Sequence, residues 1–367
     1  MSFDLSKRHQ QILWATIRQY ISTAEPVGSK TLVDGYNLNI SPATIRSGFA
    51  TLEKAGFLYQ PHTSAGRIPS DLGYRLYVDR LIQPSPTSGR QVAELLADKL
   101  DWEGWSLEAV LRSAVEVLAT LSGYVAMITL PQTRRSRVKH IQLIRVEATK
   151  IMVIIVWDAY ETQSILMQLP PERTTIDRDS LDRELQVLSN FLNSKLQGRS
   201  RVEVLKLDWS ELIGTVPAIE QSELQQYVNL ISNLLADLSR NSKPINSSQI
   251  MIWGISEVLS QPEFSQLQQV KTLIHLLESE QDKVWQLIFN PDLDSSLDLQ
   301  PKIAIRIGAE NPLKPMQACT LISTNYHQDS VPVGSVGLLG PKRMLYEDAI
   351  ALVESAAAYI SAAISQE

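Results

Sequence analysis

One stretch near the amino terminus leaves little choice of fold. Ser41-Pro42 is followed by Ile45, Phe49 and Leu52 at helical spacing. Serine is a good N-cap, and a proline in the first helical position lacks only an N–H that would go unbonded anyway. The pattern predicts a helix from Pro42 to about Ala55, stopped by Gly56. Phe57–Gln60 then reads as a strand, Pro61–Gly66 as a turn and Arg67–Pro69 as the returning strand. Upstream, Leu13, Ile17 and Ile21 form the buried stripe of a helix beginning after Ser6, and the AEPVG segment, Ala24–Gly28, breaks it. Ser29 is read as the cap of a second helix, Lys30 to about Gly35. Downstream, a capped helix buries Tyr74, Tyr77 and Leu81. Three helices followed by a hairpin is the layout of a winged helix-turn-helix.

The helix after Ser41 has a second face. Ala43, Ser47, Ala50 and Lys54 point away from the apolar stripe, flanked by Thr44 and Arg46. Small residues permit close approach to a major groove, and Arg, Ser and Thr hydrogen-bond base edges. Ser41, Ala43, Thr44, Arg46 and Ser47 are therefore candidate DNA contacts. Ser29, Lys30 and Thr31 open the preceding helix, where free N–H groups suit a phosphate. Ser64 and Arg67 lie on the hairpin, placed to meet the sugar-phosphate backbone or minor groove. His62 reads as a turn residue. Charge agrees in sign: nine basic against six acidic side chains through residue 82, in a chain of net charge −6.

The 367 residues exceed one compact domain. QPSPTSGR, Gln83–Arg90, reads as a linker. The body opens with strand-like runs from Tyr124, Val138, Lys150 and Thr162, whose short connections suggest antiparallel neighbours. Helical patterns follow at Ser180–Gln197, at Glu223–Ser239 and from Phe264. Strands return from Ile303, Ala318 and Val333, and a helix from about Tyr346 ends the chain. This order predicts an α+β body with a helical insert. The single cysteine, Cys319, fits a reducing cytoplasm, the polar start lacks a signal core, and no run of about 18 uncharged apolar residues predicts a membrane span.

Catalytic chemistry finds little support. The sequence has no P-loop and no G-x-G-x-x-G, and the GSVGLLG string from Gly334 reads as a strand entering a turn. No histidine pairs with Cys319 at metal-ligand spacing, so neither cofactor nor metal is expected. Asp177, Asp179 and Asp182 precede a helix as caps do, and Asp292, Asp294 and Asp298 lack the glycine and terminal glutamate of a calcium loop. Two alternatives remain open at this point. One is an enzyme carrying a DNA-binding head. The other is a ligand-gated regulator with Tyr160, Trp157, His140 and Arg145 around a pocket.

EPVGSKTL (Glu25–Leu32), SPATIR (Ser41–Arg46), QPHTSAGRIPSDLGYRLYVDRL (Gln60–Leu81), SQPEF (Ser260–Phe264), AENP around Glu310, and GPKRMLYEDAIALVE (Gly340–Glu354) closely resemble the bacterial heat-inducible transcription repressor HrcA family. The matches run in order along nearly the whole chain. The resemblance implies a repressor of heat-shock operons for chaperones, binding an inverted repeat as a homodimer, with a chaperonin as modulator. It implies a winged-helix head, a GAF-like body and an inserted dimerisation domain. On this reading the boundaries fall at 1–82 for the head, 83–91 for the linker, 92–175 and 265–367 for the body, and 176–264 for the insert. Two departures stand out. Ser47-Gly48-Phe49 replaces the family's usual Asn-Asp-Met, and GISEVL (Gly254–Leu259) keeps only part of its pattern.

Overall fold

The structure is a computed structural model. It describes residues 5–63, 65–99, 107–131, 137–157, 162–169, 177–200, 203–204, 250–259, 261–264, 267–289 and 303–365. The chain divides into two compact units, 1–130 with 248–367, and 131–247.

The first unit begins with helices α1 (Lys7–Thr23), α2 (Ser29–Gly35) and α3 (Pro42–Lys54). The hairpin of β1 (Leu58–Tyr59) and β2 (Ile68–Pro69) follows, then α4 (Asp71–Arg80). Ser6 and Ser41 cap α1 and α3 through side chains that accept from the His9 and Thr44 backbone N–H groups. Ser29 does not cap. Gly28 holds that position in extended backbone, and Ser29 is the first helical residue. Ala24 ends α1 in the left-handed region, and Gly56 does so after α3. Ile12, Leu13, Ile17, Leu32, Ile45, Phe49, Leu52, Phe57, Tyr74 and Tyr77 form one buried core. The residues that the spacing assigned inward on α1 and α3 are inward.

The segment read as a linker is mostly helix α5 (Pro86–Lys99). Ser85 Oγ accepts from the Ser88 N–H, and Pro86 takes the first helical position, where proline is tolerated. Helix α6 (Leu107–Ser122) and strand β3 (Val125–Thr129) follow.

After the second unit, the chain returns through β7 (Ile250–Trp253) and α8 (Ile255–Leu259) to α9 (Leu267–Ser279) and α10 (Gln281–Ile288). Strands β8 (Ala304–Ile307), β9 (Cys319–Gln328) and β10 (Val331–Pro341) then lead to α11 (Tyr346–Ser365). The sheet order is β7-β3-β10-β9-β8, antiparallel throughout. GSVGLLG lies within β10. β9 and β10 are buried along most of their length, and α11 packs on β9. Among the described residues, α11 alone is long and apolar enough to cross a membrane, yet Val353, Ala357 and Ile360 are buried within this unit.

The second unit holds β4 (Val138–Glu147), β5 (Lys150–Trp157), β6 (Thr162–Gln168) and α7 (Arg178–Leu196). The three strands form their own antiparallel sheet. Leu181, Leu185, Leu188 and Leu192 of α7 share a core with Ile141, Leu143, Ile151, Val153 and Ile155. Asn193 donates to the Ile141 carbonyl and accepts from its N–H, while Ser189 Oγ accepts from the Leu143 N–H. These bonds occupy backbone groups on the edge of β4 that would otherwise lie open. Asp177 caps α7, accepting from the Asp179 and Ser180 N–H groups.

Two assignments therefore move. β4, β5 and β6, read as body strands beside β3, belong to the second unit, and β7, read within the insert, pairs with β3. Alternation along a strand identifies a half-buried strand but not the sheet that receives it. The helix read at Glu223–Ser239, and Asp292, Asp294 and Asp298, lie outside the described residues.

Candidate nucleic-acid interface

Helix α3 presents the small polar face that its sequence suggested. Ala43, Arg46, Ser47, Ala50 and Lys54 are exposed, while Ile45, Phe49 and Leu52 are buried. Ser41 and Thr44 are tied together at its start, their hydroxyl oxygens 2.9 Å apart. The departure at Gly48 has a packing role. A Cβ there would come within 2.6 Å of Ile12 Cδ1, so glycine lets α3 lie close against α1. Lys30 and Thr31 are exposed in the first turn of α2, and Ser29 is half-buried. His62 is exposed in the hairpin turn, its carbonyl accepting from the Ala65 N–H. The Gln60 side chain donates to the Thr63 and Ala65 carbonyls across this turn. Ser64 lies outside the described residues.

Arg67 is not presented as the sequence suggested. Its side chain is only 17% exposed and forms an ion pair with Glu53, Nη2 to Oε2 2.9 Å. Its backbone N–H and carbonyl pair with Val27 just before α2. Arg67 thus joins the base of the hairpin, the last turn of α3 and the approach to α2. A cation 14 positions from its carboxylate partner in sequence gives no local signal of such a pairing.

A second constellation escaped the sequence reading, although most of its residues lie in the signature strings. Asp71 of α4 accepts from the Ala309 N–H at 2.9 Å and from Lys342 Nζ at 2.7 Å. Arg75 grips Glu310 with Nε and Nη2, the Nε bond being 2.9 Å, and donates to the Ile305 carbonyl at 2.6 Å. Such a two-pronged pair fixes orientation as well as charge. Tyr77 donates to Glu347 at 2.9 Å, and Arg18 lies 3.5 Å from the same carboxylate. Arg343 binds Glu263 and Gln261 and reaches the Ile21 carbonyl at 3.1 Å. The Tyr346 ring is 5.9 Å from that of Tyr74 and 6.3 Å from that of Tyr77.

Of the residues suggested for a small-molecule pocket, the three described ones share no pocket. Trp157 is buried with the α7 core, whereas His140 is exposed, and Arg145 lies 4.0 Å from Asp182. Tyr160 is outside the described residues. Among the described residues, no group of three His, Cys, Asp or Glu side chains is placed to hold a metal. Cys319 is buried in β9, and that burial pushes its thiol up to about 12.

Comparison with known proteins agrees over the full length. Residues 108–350 match the family model of the HrcA protein C terminal domain. Heat-inducible transcription repressor HrcA of Nostoc punctiforme is 52% identical, the match covering 100% of this chain and 99% of the relative. The protein of the same name from Cyanothece sp. is 51% identical, with 100% of both chains covered. That from Synechococcus elongatus is 46% identical over 98% of each. These relatives are named as repressors, a role that is not enzymatic. A solved structure described as a hypothetical protein shares the fold, with a TM-score of 0.61, 21% identity and 99% of each chain covered. With the head's geometry and these full-length matches together, the chain belongs to the HrcA family of heat-inducible transcription repressors.

Proposed function

We propose that this chain represses transcription of heat-shock chaperone operons in the cytoplasm by binding an inverted-repeat operator as a homodimer. The observation that carries the reading is the exposed face of α3, where Arg46 and Ser47 stand among small residues on a helix otherwise locked into its core. The first 82 residues act as a winged helix-turn-helix, with α3 in the major groove and the β1–β2 hairpin as wing. Ser41, Ala43, Thr44, Arg46 and Ser47 face the bases, and Ser29, Lys30 and Thr31 lie towards a phosphate. Ser64 is assigned to contact with the DNA backbone. The rest of the first unit acts as a GAF-like body, and the second unit serves as the dimerisation insert. A chaperonin modulates the active fold.

Twofold symmetry in the protein requires a matching symmetry in its site. Genomic fragments recovered on the purified chain at 25 °C are expected to share an inverted repeat upstream of chaperone genes and to be released on warming. Recovery without a shared repeat contradicts the proposal.

A further inference from the structure

The strings around Asp71, Glu310 and Lys342 are far apart in sequence and meet on α4. Asp71, Arg75 and Tyr77 supply the head's side of this seam, joined by Arg18 and the Ile21 carbonyl of α1. Attachments on two helices restrain rotation as well as separation. None of them uses Ala43, Arg46, Ser47, Ala50 or Lys54, so the proposed DNA face stays clear. The connection also has little slack. Helix α4 is capped at Leu81, and the Ser85 N–H already donates to the Glu347 carbonyl at 2.9 Å. At Gly308, φ is +55°, and a Cβ there would lie 2.1 Å from Asp71 Oδ2. Only glycine lets the body's backbone come this close to the head's carboxylate.

We propose that the Asp71–Arg75–Glu310–Lys342–Glu347 seam is a positioning device: it fixes the orientation of the DNA-binding head so that both heads of a dimer engage an operator together. The proposal rests on the dimeric, operator-binding reading above. Binding of the second head is intramolecular, and its effective concentration depends on where the first head holds it. A head fixed in advance avoids the ordering cost that a loosely tethered one must meet. The seam therefore governs affinity for two half-sites and leaves affinity for one half-site unchanged.

The test uses the full-length chain with a duplex that the wild-type protein selects from genomic fragments, and the same duplex with one half-site scrambled. Glu310→Gln keeps an acceptor for the Ile307 N–H but loses the ion pair with Arg75. It is expected to lose about tenfold or more on the intact duplex and less than about twofold on the scrambled one. The paired reversal Arg75→Glu with Glu310→Arg is expected to recover part of the loss. Amide hydrogen exchange in α1–α3 is expected to match wild type, showing that the head remains folded.

Equal losses on both duplexes overturn the proposal, because the seam then merely stabilises the head. An undiminished preference of Glu310→Gln for the intact duplex overturns it as well. A wild-type chain that binds both duplexes equally overturns the dimeric reading, and the seam's role with it.

Discussion

Arg67 Nη2 lies 2.9 Å from Glu53 Oε2, so the cation expected to reach DNA from the hairpin instead ties the hairpin to the last turn of α3. A carboxylate near a helix C-terminus opposes the helix dipole, and Arg67 offsets that penalty. The pair therefore sets how α3 stands against the hairpin. Arg67→Ala and Glu53→Gln are each expected to weaken DNA binding by a similar factor, and the double variant by no more than either. The slope of log affinity against log salt should stay unchanged. A slope shallower by about one unit for Arg67→Ala, with Glu53→Gln inert, would assign Arg67 to a phosphate after all.

Gly48 invites a packing test. Alanine is about 1 kcal/mol better than glycine in a helix interior. Here its Cβ would meet Ile12 Cδ1 at 2.6 Å inside the core, and overpacking costs about 1–3 kcal/mol. Gly48→Ala is expected to destabilise the chain by about 1 kcal/mol, the difference of the two effects. Ile12→Val removes the offending methyl group. On its own it costs about 0.5–1.5 kcal/mol. Combined with Gly48→Ala it is expected to recover stability in denaturant titrations, whereas simple addition of the two losses would contradict the packing account.

The seam carries a pH signature. Desolvation raises the Glu310 carboxyl, but the Arg75 guanidinium and the Ile307 N–H outweigh it and hold the group below the usual carboxylate range. An acid depressed in the folded state adds stability above its unfolded pKa and loses it as pH falls through the folded value. The Tm gap between wild type and Glu310→Gln should be widest near neutrality and close below about pH 4. A gap independent of pH would show that Glu310 acts by shape alone.

Cys319 sits at 0% exposure in β9, with its thiol pushed up to about 12 by burial. Thiolate is the reactive form, so alkylation by iodoacetamide at pH 8 is expected to be negligible in the native chain and prompt after unfolding. Rapid labelling of the native chain would show that β9 opens readily.

How much of this was legible depended on range. The caps at Ser6 and Ser41 and the stop at Gly56 involve neighbours a few residues apart, and they read correctly. Pro86 misled, because a proline that opens α5 looks the same in sequence as one that breaks a helix. The four residues of β7 are too few for a periodic signal, and its partner β3 lies more than 100 residues away. Arg67 and Arg75 were visible as cations, but only the fold shows that each faces a carboxylate. The seam lay in plain view as shared strings whose common destination no local pattern could reveal.

A binding isotherm for Arg46→Ala on the duplex selected by the wild-type chain decides whether α3 reads DNA. Arg46 is exposed and outside the buried core, so its removal should leave Tm unchanged. Loss of one good base contact is worth about 1–3 kcal/mol, so affinity should fall about fivefold to 150-fold and discrimination should relax at one position of each half-site. Wild-type affinity and base preference in this variant would contradict the placement of α3 in the groove.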